Sequence, residues 1–140
     1  MMSENMHKIK FGIVGYGKMG QIRSKVISKI TNAEIVAIYD VEKKKLKNGI
    51  KFCSSLDELL NEDIDAVIIS GYTVNSKEFT IRALNQGKHV FCEKPPAMNA
   101  KEVKKVINFE KKNKKILKYG FNHRFHYSVL EAKKHIESSK

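Results

Sequence analysis

A chain of 140 residues has room for one domain with a real core and not for two of ordinary size. Its 27 lysines and arginines against 15 acids give a formal net charge of +12, yet all but Arg23, Arg82 and Arg124 are lysines spread over every segment. That distribution argues against a nucleic-acid groove, where arginine forks and interleaved aromatics gather on one stripe, and in favour of a solvated surface. The start of the chain, residues 1–8, is short and polar, and no stretch approaches the about 18 apolar residues of a membrane span, so a soluble, cytoplasmic protein is expected.

In chain order, short apolar runs alternate with helical periodicity. Residues 9–14 read as a strand, and 18–30 as a helix with Met19, Ile22, Val26, Ile27 and Ile30 on one face. Strands are expected at 35–39 and 50–53, followed by a helix start at Ser55-x-x-Glu58, the capping-box spacing. A strand at 66–69 leads to a second such box, Asn75-x-x-Glu78, and a helix that ends before Gly87, where a residue at positive φ belongs. After a strand at 89–92 comes a third box, Asn99-x-x-Glu102, opening a helix over 100–112 with Val103, Val106 and Ile107 on its apolar face. A last strand over 116–121 precedes an amphipathic segment carrying Val129, Ala132 and Ile136, whose apolar face has to pack on something. Near-continuous apolar strands alternating with helices predict an α/β fold, a doubly wound parallel sheet covered on both faces, in the order 3-2-1-4-5-6. Cys53 and Cys92 would then close the third and fifth strands. Four steps of roughly 4.8 Å separate them by about 19 Å, beyond disulfide reach.

The first turn carries chemistry. Gly15-Tyr16-Gly17-Lys18-Met19-Gly20 is G-x-G-x-x-G between a strand and a helix: the first glycine for the tight turn, the second for backbone approach to a pyrophosphate, the third for close helix packing. At the end of the second strand stands Asp40, where a carboxylate accepts both hydroxyls of an adenosine ribose. It repels a 2′-phosphate and so favours NAD, although Lys43, Lys44 and Lys45 follow at once and leave NADP open.

Ligands of such sheets bind beyond the carboxyl ends of the strands. There the sequence places Ser70-Gly71-Tyr72-Thr73, Glu93-Lys94-Pro95-Pro96 and Asn122-His123-Arg124. The only two prolines of the chain pin the backbone after Lys94. The other histidines, His7, His89 and His135, read as structural, and no metal site is expected.

These residues resemble a known family. The glycine turn, the run Ala83-Leu84-Asn85-Gln86-Gly87-Lys88-His89-Val90-Phe91-Cys92-Glu93-Lys94-Pro95, and Tyr119-Gly120-Phe121-Asn122-His123-Arg124-Phe125 look like the N-terminal half of the Gfo/Idh/MocA oxidoreductases. The resemblance implies a nicotinamide-dependent enzyme acting on a sugar, nucleotide-sugar or cyclitol. It also implies a catalytic Lys94 beside the nicotinamide, Glu93 on its ribose side, and Asn122 and Arg124 facing the nicotinamide and the substrate mouth, with Gly15 to Gly20, Asp40, Ser70, Gly71, Tyr72 and Pro95 completing the cofactor site. The sequence departs from the family where Thr-Pro is usual, at Gly71-Tyr72, where a histidine is usual, at Ser76, and where a proline is usual, at Tyr127. The family's second domain is not expected within these 140 residues, which hold no Asp-x-x-x-His. Residues 8–126 are expected to form the dinucleotide-binding domain and 127–140 a helix leading toward a substrate domain, with oligomers only in a full-length context. A detached cofactor half without turnover of its own, a stand-alone dinucleotide-binding or redox-sensing module, and, weakest, a basic nucleic-acid binder all remain open.

Overall fold

The computed structural model describes residues 8–46 and 49–139; His7 and Lys140 lie outside them. Six strands run parallel: β1 (Ile9–Val14), β2 (Ala33–Tyr39), β3 (Lys51–Cys53), β4 (Ala66–Ile69), β5 (His89–Cys92) and β6 (Leu117–Tyr119). Their order is β3-β2-β1-β4-β5-β6, the doubly wound sheet expected from the alternation. Register is the feature that positions the site. Cys53, Tyr39, Val14, Ile69, Cys92 and Tyr119 pair in turn across the sheet, so all six strands end level. One residue later the backbone continues the row. Gly15 N–H donates to Tyr39 C=O, Ser70 N–H to Val14 C=O, Glu93 N–H to Ile69 C=O and Gly120 N–H to Cys92 C=O, all within 2.8–2.9 Å.

The helices are α1 (Lys18–Ile27), α2 (Leu56–Leu60), α3 (Thr73–Asn85), α4 (Ala100–Asn113) and α5 (Tyr127–Ser138), with a 3₁₀ turn at Asn122–Phe125. Two faces of the sheet bury unequal cores. Leu56, Leu59 and Leu60 of α2, Ala83 and Leu84 of α3 and Val106 of α4 pack on Val14, Val67, Ile69 and Val90. On the other face only Ile27 of α1 joins Ile13, Ile38 and Ile68, with Leu46 and Ile50 lying at the edge. Coverage of both faces, expected from the strand composition, is therefore thick on one side and thin on the other, because no described residue between Asp40 and Ile50 is helical.

Three local expectations are corrected. Helix α1 ends at Ile27, and Lys29 and Ile30 continue as tight turns, their N–H groups reaching Val26 and Ile27 carbonyls. Asn75 caps nothing: α3 already begins at Thr73 with Tyr72 as its extended N-cap, so the Asn75-x-x-Glu78 spacing falls inside the helix. Helix α5 rests on the 3₁₀ turn before it, and Val129, Leu130 and Ile136 stay exposed. The other two N-caps form, each glutamate bonding back to the N–H of the residue before its cap, Ser54 and Met98. Ser55 Oγ accepts from Glu58 N–H at 3.1 Å and Asn99 Oδ1 from Glu102 N–H at 3.0 Å. Gly87 takes φ +72° as the turn out of α3 requires.

Candidate functional site

The glycines of the first turn do three different things. Gly15 has φ +84°, and a side chain there would press its Cβ to 2.5 Å from the Gly71 nitrogen; this is the crossing of two strand-end turns. Gly20 is buried, and a Cβ there would collide with the Gly15 carbonyl oxygen, so α1 seats directly on the turn. A Cβ on Gly17 would meet nothing within 4 Å. Protein packing supplies no reason for glycine at 17, whereas approach of a ligand backbone-first at the helix N-terminus does. Lys18 is exposed and Met19 half-buried in the first turn of α1.

Asp40, 11 % exposed at its side chain, receives Tyr16 N–H on Oδ2 at 2.6 Å and Glu42 N–H on Oδ1 at 3.0 Å. It thus ties the end of β2 to the glycine turn while each oxygen keeps a lone pair for a ribose hydroxyl. Lys44 Nζ lies 3.9 Å from Oδ1 and pairs with Glu42 at 2.7 Å. Ser70 Oγ donates to the Gly15 carbonyl at 2.7 Å, fastening β4 to the turn. Between these elements opens a cleft of about 320 Å³ lined by Gly15, Gly17, Asp40, Val41, Gly71 and Tyr72 among others, with Tyr72 standing exposed at its rim. The residues present fit the adenosine and pyrophosphate of a dinucleotide: an open glycine, free helix N–H groups and a paired acceptor. A larger cleft, about 570 Å³, lies on the opposite flank of α1 over Ile35 and Ile50, where the β2 to β3 connection leaves the sheet thinly covered.

At the ends of β5 and β6 the structure brings in a residue that sequence reasoning passed over. Arg23 Nε donates to Glu93 Oε1 at 2.6 Å, its Nη2 pairs with the same carboxylate, and Nη2 also donates to Asn122 Oδ1 at 3.2 Å. The guanidinium lies over the Phe91 ring, 4.8 Å from its centre. A Cβ on Gly120 would fall 2.5 Å from Glu93 Oε2, so glycine there admits the carboxylate. The signal was faint: an arginine one turn past Gly20 in a chain whose basic residues are almost all lysine.

Lys94 follows directly and is exposed, without a hydrogen bond or ion pair among the described residues; the Lys94–Pro95 peptide bond is cis. Arg124 stacks on Phe125 at 5.5 Å and is exposed in the 3₁₀ turn. Ser76 is buried against Cys92 together with Thr80, and burial pushes the Cys92 thiol up. His89 serves its strand, its Nδ1 accepting from Ile116 N–H at 3.0 Å. Both cysteines are free and buried. The Cys53 thiol and the Glu58 and Glu62 carboxylates have donor atoms within 4.8 Å of one another. Lys51 is ion-paired to both carboxylates, and burial lifts the thiol to about 11; the group reads as an ion-pair network.

Comparison with known proteins agrees with this geometry. Residues 9–121 match the model of an oxidoreductase family described by its NAD-binding Rossmann fold, GFO_IDH_MocA. A myo-inositol 2-dehydrogenase of Thermotoga maritima is 32 % identical over 137 residues, which is 93 % of this chain and 41 % of that protein. The structure of scyllo-inositol dehydrogenase from Lactobacillus casei with bound NAD(H) and scyllo-inositol superposes with a TM-score of 0.83 at 31 % identity, covering 94 % of this chain and 41 % of that one. An NAD-binding protein from Listeria innocua gives 0.86 at 30 %, covering 95 % and 41 %. The chain thus spans about two fifths of the length of these relatives. Among the described residues no helix is long and apolar enough to cross a membrane.

Proposed function

Because the chain belongs to the Gfo/Idh/MocA oxidoreductases, with NAD as the cofactor of its Rossmann fold, we propose that it supplies the cofactor site and the catalytic lysine for hydride transfer between nicotinamide and a hydroxyl or keto carbon of a cyclitol or sugar. The observation that carries this reading is the open space at Gly17 beside Asp40 in one cleft, at the same strand-end edge that Glu93, the residue before Lys94, continues. Residues 8–126 are the cofactor domain in this reading, and the helix that follows leads toward substrate-binding elements.

Bound NAD would accept the hydride at its nicotinamide ring. The protein's part is to hold and to neutralise. The α1 N-terminus and the Gly15 to Gly20 turn take the pyrophosphate, and Asp40 takes the ribose hydroxyls. Oxidation of an alcohol sheds a proton as the hydride leaves. The neutral Lys94 amine beside the reacting hydroxyl takes up that proton as the hydride leaves, and the ammonium so formed gives it to solvent; in the reverse direction the ammonium donates it to the developing alkoxide. A cyclitol is the first substrate class to test, since the relatives include inositol dehydrogenases.

The test is a titration with NADH followed by nicotinamide emission in a protein that has no tryptophan, repeated for Gly17→Val. The open space and extended backbone at Gly17, φ −71° and ψ −160°, accept valine, so melting should not move, while NADH affinity should fall at least about tenfold. An unchanged affinity would remove the pyrophosphate from this turn.

A further inference from the structure

Lys94 and Asn122 stand on different strand ends, and one side chain on a third element reaches both neighbourhoods. Arg23 sits on α1, the helix that opens with the glycine turn. Its side chain is only 18 % exposed and its guanidinium faces Glu93, whose side chain is only 11 % exposed. A carboxylate so enclosed needs a partner. Arginine meets this with two N–H groups on Glu93, and still has an N–H for Asn122 and a flat face for Phe91. Lysine, a point charge with no planar face, cannot make all of these contacts at once. That accounts for arginine at this place in a lysine-rich chain.

The chemistry of the contact also settles the direction of the Asn122 amide. Arginine only donates, so it takes up the amide oxygen, and the NH₂ group is left facing away from it. Among the described residues that NH₂ has no partner.

We propose that Arg23 is a positioning residue for the nicotinamide end of the cofactor site: it clamps Glu93, which fixes the loop carrying Lys94, and it turns the Asn122 NH₂ outward as a hydrogen-bond donor toward the cofactor. The inference rests on the cofactor reading above. It assigns Glu93 to the clamp and not to the ribose. The pyrophosphate helix and the catalytic loop thereby become one rigid unit.

Two ligands separate this role from a general structural one. ADP-ribose fills the adenosine and pyrophosphate positions and lacks the nicotinamide ring; NADH has both ends. Calorimetric titration of the wild-type chain should show binding of each. Arg23→Met should weaken NADH by about tenfold and leave ADP-ribose within about twofold, and Arg23→Lys should recover part of the loss. Equal weakening of the two ligands, or no change for NADH, overturns the proposal. If Arg23→Met does not fold, Asn122→Asp carries the test. Its carboxylate still accepts from Arg23, so the clamp stays, but the outward donor is gone. Selective loss of NADH binding supports the proposal and its absence overturns it. Should the wild type bind neither ligand, the cofactor reading itself falls, and this inference with it.

Discussion

Asp40 shows how much one side chain carries at this site. Its two oxygens already hold Tyr16 and Glu42 N–H groups, so it shapes the turn before any ribose arrives. Asp40→Asn presents NH₂ where one of those donors points, which turns an acceptor into a clash of two donors, and it also removes the charge that repels a 2′-phosphate. NADH affinity should fall about tenfold, while NADPH falls less or gains, so that the preference between them moves toward NADPH. Parallel titrations read that ratio. An unmoved ratio would mean that Asp40 does not face the ribose. Asp40 and the glycines were legible in the sequence because their roles follow from local spacing after a strand. Arg23 was not, because its partner Glu93 is 70 positions away and no local pattern announces such a pair.

At the scale of elements, the N-terminus of α2 has a measurable acid response. Glu58 accepts from Ser54 N–H at 2.7 Å and from its hydroxyl at 2.8 Å, and these bonds together with Lys51 hold its carboxyl at about 2, below the ordinary 4.5. A folded-state value below the unfolded one means that the contribution is complete above about pH 4.5 and is lost as pH falls toward about 2. Glu102, bonded to Lys77 and the Met98 N–H, is lowered in the same sense. Glu58→Gln should therefore lower the melting temperature at about pH 6 and narrow the gap to wild type at about pH 3. A gap that stays constant between those two pH values would show that the carboxylate contributes nothing to the cap. The Asn75 spacing fits the same pattern and fails because capping needs an extended residue as well as an oxygen; the chain leaving Gly71 is already helical at Thr73. Pattern is a necessary condition here, and the path of the preceding loop supplies the rest.

Across the whole molecule, one face of the sheet is buried under three helices and the other under α1 alone, while α5 leaves Val129, Leu130 and Ile136 in solvent. Lys94 stands exposed at the strand ends, with no partner among the described residues. Hydride transfer needs the reacting carbon held and water excluded, and the exposed Lys94 is open to water. Incubated with NAD and myo-inositol, it should bind cofactor yet form little or no NADH. Robust turnover would show that these residues enclose substrate by themselves. The order of strands and the chemistry of the residues just beyond them were determined by the sequence alone, because periodicity, capping and turn residues act over a few positions, whereas the last strand, expected to run to 121, ends at Tyr119 level with the others. The tertiary structure alone decided which of those strand-end groups are spent on one another. Parallel crossovers bring Arg23, Glu93, Gly120 and Asn122 to one point from three separate elements, and contacts of that range have no signature along the chain.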